Sequence, residues 1–156
     1  MTVSLDRKSQ EFVSKVLDDS MDMTIATKRQ DGFPQATVVS FVHNRERIYF
    51  GCDASSQKAQ NITHDERVSV TVTAPYADWK QIRGVSMGAR ARKVTDEEER
   101  LKVGALMMKR FPQAAEFTKD VDPENLVLFR IDPEAISILD YRQGFGHTEL
   151  KTALTV

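Results

Sequence analysis

"MDMTIATKRQDGFPQATVVSFVHNRERIYFG", Met21 to Gly51, carries the pattern that decides the fold. Met21, Met23, Ile25 and Thr27 alternate with Asp22, Thr24, Ala26 and Lys28, the period of a half-buried strand. Asp31-Gly32 then supplies a turn that tolerates positive φ. Gln35 to Val42 is rich in β-branched residues, His43-Asn44-Arg45-Glu46 is a polar turn, and Arg47 to Gly51 is a third short strand. The spacing predicts a three-stranded meander.

Upstream, Phe12, Val13, Val16 and Leu17 recur at helical spacing between Ser4 and Asp19, so an amphipathic helix opens the chain. Downstream, Ser55 or Ser56 caps a short helix over Gln57 to Ile62. Val68, Val70 and Val72 form one face of a further strand, and Pro75 with Asp78 marks the loop after it. A longer strand follows from Arg83 to Val94, with Val85, Met87, Ala89 and Ala91 on its apolar face. Thr95 and Glu98 make a capping box for a helix that carries Leu101, Ala105 and Met108 and stops before Pro112. The last strand material is Leu126 to Leu139, interrupted at Asp132-Pro133. Six or seven strands with hairpin-length connections pair antiparallel, and so few helices cannot cover an open sheet. The expectation is a mainly β chain with peripheral helices, curled into a small barrel as a single domain over residues 1–156.

The chain has 156 residues, 40% of them hydrophobic, enough for one core. Its 22 basic and 23 acidic side chains give a net charge of -1, which leaves no basic field for a nucleic-acid backbone. Cys52 is the single cysteine, so no internal disulfide forms, and Met1 to Asp6 carries no apolar run of signal-peptide type. A cytoplasmic protein is expected, and no apolar stretch approaches the roughly 20 residues that cross a bilayer.

Two formal motif matches fail on context. Gly84-Val85-Ser86-Met87-Gly88 fits the nucleophile-elbow string, but alternation runs straight through Ser86 as strand. Gly144-Phe145-Gly146-His147 begins like a dinucleotide fingerprint, yet too little chain follows for a βαβ unit. His43, His64 and His147 are scattered with no ligand spacing, so the sequence writes no metal site. His43 in its turn and His64 at its helix end read as surface residues.

The segment with chemistry in it is Tyr49-Phe50-Gly51-Cys52-Asp53-Ala54-Ser55-Ser56-Gln57-Lys58-Ala59-Gln60-Asn61. A strand ends, small residues follow, and a lysine stands in the first turn of a helix. The first helical amides lack internal acceptors, serine hydroxyls can donate, and Lys58 adds a positive charge at the positive end of the helix dipole. That is a phosphate site in outline, although a plain cap with a solvated lysine would look the same.

The order "ATKRQDGFPQATVVSF" (Ala26 to Phe41), "IYFGCDASSQKAQNI" (Ile48 to Ile62), "DERVSVTV" (Asp65 to Val72) and "IRGVSMGARARKV" (Ile82 to Val94) resembles the pyridoxamine 5′-phosphate oxidase-like FMN-binding split barrels. The resemblance covers Met21 to Val94 directly, and the later helix, final strand and tail fit the same layout. It implies a six- to seven-stranded antiparallel split β-barrel and a homodimer holding FMN at its interface, working as a flavin oxidoreductase. A small-molecule redox substrate, with NAD(P)H as a candidate donor, goes with that activity. Lys58 matches the lysine that contacts the FMN phosphate, in company with Ser55, Ser56 and Gln57, and Gln57 falls where the oxidases carry arginine. Thr37 to Val42, including Val38, Val39 and Ser40, match the strand whose backbone lies along the flavin; the oxidases have Arg and Lys at its ends where this chain has Thr37 and Val42. Phe50 and Gly51 match a second flavin-adjacent strand end, and Arg83 a polar position that reaches the flavin from across the dimer. The oxidases' C-terminal substrate residues have no convincing counterpart, which speaks against vitamin B6 oxidation. The tail Asp140 to Leu150 is instead expected to close the pocket together with Trp79, Phe145 stacking and His147 hydrogen bonding. The same resemblance admits a flavin- or haem-binding protein without turnover, or a deazaflavin-dependent reductase.

Overall fold

The structure, a computed structural model, describes residues 3–152, so Met1 and Thr2 of the N-terminal stretch lie outside it. Eight antiparallel strands make one sheet: β1 (Asp22–Lys28), β2 (Pro34–Ser40), β3 (Val42–Asn44), β4 (Arg47–Asp53), β5 (Arg67–Thr73), β6 (Arg83–Lys93), β7 (Leu126–Asp140) and β8 (Thr148–Thr152). Seven lie on one path, in the order β2-β1-β5-β6-β7-β4-β3, and β8 branches off β7. The strands at the two ends of that path, β2 and β3, are joined by Phe41 alone. A path whose ends are one residue apart must roll up, and the result is a split barrel with mainly β content.

The barrel interior follows from the alternation. Val68, Val70 and Val72 on β5 and Val85, Met87, Ala89 and Ala91 on β6 are buried, facing Met23 and Ile25 of β1. Phe50 and Phe129, across the β4–β7 ladder, stack with ring centroids 5.4 Å apart. Helix α1 (Arg7–Asp18), capped by Asp6, sets Val13, Val16 and Leu17 into the same core, each worth about 1.5–3 kcal/mol of burial. Three consecutive residues of β4, Ile48, Tyr49 and Phe50, are buried because the strand is covered on both sides. Ile48 and Phe50 face the barrel, while Tyr49 faces helix α3 (Glu97–Arg110) in a second cluster with Val42, Val94 and Val103.

Several expectations need correction. The first strands form no meander: β2 ends at Ser40, Phe41 turns its ring into the core, and β3 pairs with β4, whose other neighbour is β7. Period-2 patterning names the strands but not their partners. Asp96, not Thr95, caps α3, its carboxylate accepting from the Glu99 amide at 2.8 Å. Leu101 and Met108 of that helix are exposed, and Val103, Leu106 and Met107 face the barrel instead. Asp132-Pro133 does not interrupt β7; the register slips once, so that Ala89 faces Pro133 and Gly88 faces Ala135. A bulge absorbs the missing proline N–H. The short helix α4 (Ala114–Thr118) and strand β8 carried no legible signal.

Helix α2 (Gln57–His64) is fastened to the barrel by a buried polar group rather than by apolar contact alone. Asn61, 1% exposed, donates to Thr27 Oγ1 at 3.0 Å and Gln35 Oε1 at 2.9 Å, and its Oδ1 accepts from Gln57 Nε2 at 2.8 Å. Replacing Asn61 by alanine takes the partner from the buried Thr27 hydroxyl and from Gln35 and is expected to cost about 1–3 kcal/mol in urea unfolding. A loss below about 0.5 kcal/mol would mean that water replaces the amide without penalty.

Candidate functional site

The residues singled out in the sequence fall into two groups. The first surrounds the start of α2. Ser56 is its N-cap, accepting from the Ala59 amide at 3.3 Å. The amides of Gln57 and Lys58 have no acceptor among the described residues, and Lys58, half-buried, makes no hydrogen bond or ion pair there. Gly51 is exposed at the end of β4, whereas the Phe50 ring is wholly inside the core, so only its backbone can line a site. Asn61 and Gln35 bring α2 against β2, which among the described residues pairs with β1 alone, its other backbone edge left free by them. Along that strand Thr37 and Val39 are half-buried, while Val38 and Ser40 are exposed.

The expected serine donors are partly spent. Asp53 Oδ1 accepts from the Ser55 amide at 2.7 Å and the Ser55 hydroxyl at 2.6 Å, and Ser56 Oγ lies 3.6 Å from Cys52 Sγ. The two Ser55 bonds hold the Asp53 carboxyl below its ordinary value. Burial pushes the Cys52 thiol up, against the pull of Ser56 and Lys58.

The second group sits where β6 begins and β7 ends. Arg83 pairs with Asp19 at 3.0 Å, and the Asp19 carboxyl is held low by Lys15 first and Arg83 second. Trp79 stacks on Phe145 with centroids 6.0 Å apart, and Tyr141 meets Phe145 edge-on at 5.3 Å. Both stacked rings are open to solvent, Trp79 at 67% and Phe145 at 74%. Backbone bonds lock the two turns together: Ile82 N to Trp79 O, Tyr141 N to Ile82 O, and His147 N to Gly144 O. Asp140, buried beneath, accepts from Arg142 and Gln143. The tail and Trp79 therefore meet through rings that are open to solvent. His147 makes no side-chain hydrogen bond; its Nε2 is buried with no acceptor, the Glu149 carboxylate standing 3.7 Å away.

The β7 register measures how far apart the groups are. Gly51 faces Leu128 near the start of β7, and Arg83 faces Asp140 at its end. Twelve residues of strand separate them, about 40 Å of contour at 3.3 Å per residue. The two groups are therefore attached to opposite ends of β7.

Of the histidines, His64 is exposed as expected. His43 is not a surface residue: its side chain is 10% exposed, with Nδ1 2.8 Å from Arg45 O and Nε2 2.7 Å from Asp18 Oδ1. The adjoining turn at Arg45 takes a positive φ of 56°, and the ring lies against Asp18 at the end of α1. Among the described residues there is no group of three or more metal-binding side chains, and no helix is long and apolar enough to cross a membrane.

The sequence profile of the pyridoxamine 5′-phosphate oxidase family matches residues 9–140. The chain belongs to that family. Solved structures with the same fold include a haem-binding protein from Mycobacterium smegmatis, with a TM-score of 0.79 at 17% identity over 96% of this chain and 60% of the other. They also include HutZ, the haem storage protein from Vibrio cholerae, with a TM-score of 0.67 at 19% identity over 89% and 92%. General Stress Protein 26 from Bacillus anthracis gives a TM-score of 0.64 at 20% identity over 90% and 97%. This pyridoxamine 5′-phosphate oxidase family chain thus spans 60% of the length of the mycobacterial protein, and at these identities the likeness is one of fold. No protein of curated function matches it in sequence.

Proposed function

We propose that the protein is an FMN-dependent oxidoreductase that works as a homodimer on a small redox substrate. The observation that carries this reading is the start of α2: one ammonium group and two amides without acceptors among the described residues, set beside a strand whose second backbone edge none of those residues pairs. That donor set fits a terminal phosphate, which Lys58 and the Gln57 and Lys58 amides would hold. The free edge of β2 near Thr37 to Ser40 offers N–H and C=O groups to the polar edge of a flat heterocycle. Bound FMN supplies hydride acceptance and delivery at its ring. The chain's own part is to bind, orient and shield, and no acid or base of its own is required.

The separation of the two groups along β7 supports a dimer. If Arg83 and the Trp79–Phe145 stack serve the flavin, a second copy supplies them from the opposite end of β7. A monomer in sedimentation would remove them from the site.

A haem protein is the second reading. Its support is His147, whose Nε2, buried 3.7 Å from the Glu149 carboxylate, would serve as an axial ligand once uncovered, on a fold shared with the haem-binding structures above. The protein is expected to purify yellow, or to take up FMN, and then to bleach anaerobically with NADH or NADPH. Stable flavin colour would make it a carrier, and a Soret band would replace the reading with haem.

A further inference from the structure

The start of α2 carries one charge of each sign. Asp53 ends β4 and turns its carboxylate back onto Ser55, while Lys58 stands in the first turn of the helix. The Cys52 thiol between them feels both, lowered by Lys58 and raised by Asp53. Three side chains that a phosphate would recruit are already engaged: Ser55 with Asp53, Ser56 with Cys52, and Gln57 with Asn61. What remains is a single ammonium group and two amides, opposed by a carboxylate.

We infer that Asp53 sets how much negative charge this cradle accepts, holding the affinity for a phosphomonoester dianion below what Lys58 and the amides would give alone. The inference rests on the flavin reading and concerns its selectivity. A carboxylate's repulsion scales with the charge of the ligand: if its removal gains about tenfold for a dianion, it gains about threefold for a monoanion and nothing for a neutral ligand. FMN supplies two of these states itself, since its phosphate loses a second proton near pH 6, and riboflavin supplies the third. Asp53 stays ionised across that interval, because the Ser55 bonds hold its carboxyl low.

The turn whose Asn125 carbonyl accepts from the Ala54 amide at 2.7 Å carries two further acids, Asp122 and Glu124. Of the elements packed on α2, β1 contributes Lys28, paired with Asp65, and β6 contributes Arg90 and Arg92, both paired with Glu66, and Lys93. Those pairs and His64 lie at the far end of the helix, a length of about 12 Å for eight residues. All are common to wild type and variant, so the ratio of affinities at each pH isolates Asp53.

The test is flavin-fluorescence titration of FMN and riboflavin into the wild type, Asp53→Asn and Lys58→Gln. Asparagine keeps a side-chain oxygen for the Ser55 bonds, and riboflavin binding reports that the site is intact. Asp53→Asn is expected to tighten FMN about tenfold near pH 7.5 and about threefold near pH 5, with riboflavin unchanged. Equal tightening of riboflavin, or unchanged FMN affinity in Asp53→Asn where Lys58→Gln weakens it, would overturn the inference and leave the flavin reading standing. FMN affinity indifferent to both substitutions would overturn the flavin reading itself.

Discussion

Lys58→Ala is expected to lose FMN about 10- to 100-fold more readily than the wild type while unfolding at the same denaturant concentration. The magnitude follows from removing a charge-assisted hydrogen bond, worth about 1.5–3 kcal/mol. The unchanged stability follows from the structure, because Lys58 makes no hydrogen bond or ion pair with any described residue. The α2 cap through Ser56 and the anchor through Asn61 stay in place without it. The two amides continue to favour an anion, so weak FMN binding should persist. Equilibrium dialysis with FMN, beside a urea melt of both proteins, measures the pair of effects. Equal retention would move the anion site away from α2.

Phe41→Ala is expected to have the largest effect on stability, about 3–5 kcal/mol. The Phe41 ring is fully buried in the barrel core, and the residue is the single link between the strands at the two ends of the sheet path. It also carries the Arg110 guanidinium 4.8 Å above its face. Arg110 is short of partners: one of its terminal nitrogens donates to Leu17 O at 3.0 Å, its Nε has none, and burial pushes its pKa down. Losing the ring removes the cation–π contact as well, worth about 0.5–2 kcal/mol where it is desolvated. A urea melt of Phe41→Ala against Phe41→Leu separates the terms, since leucine fills most of the space and offers no π face. A loss of under about 1 kcal/mol in the alanine variant would show that the barrel does not depend on this seam.

Some of this was legible in the residues and some was not, for identifiable reasons. The valines of β5 and the apolar face of β6 declare themselves by a period of two, and the structure buries them where the pattern says. Which strands pair is non-local, so nothing between Val42 and Arg47 told that β4 would leave β2 and lie beside β7, more than seventy residues on. Helical α3 was plain, but which of its faces turns inward was not: Leu101 and Met108 are apolar and still point to water. Ser56 and Lys58 were visible as a helix start with a charge. The use of Ser55 by Asp53 was not, because aspartate three residues before a helix cap reads equally well as a turn residue and as a competitor for the anion's donors. His43 looked like part of a solvated turn, and only the tertiary position of Asp18 turns it inward.

The most direct test of the flavin account is a crystal structure of the protein grown with FMN. The account requires the phosphate within hydrogen-bonding distance of Lys58 Nζ and of the Gln57 and Lys58 amides, the ring along the free edge of β2, and Arg83 of a second copy on the ring side. FMN bound elsewhere, with Lys58 in open solvent, would contradict it.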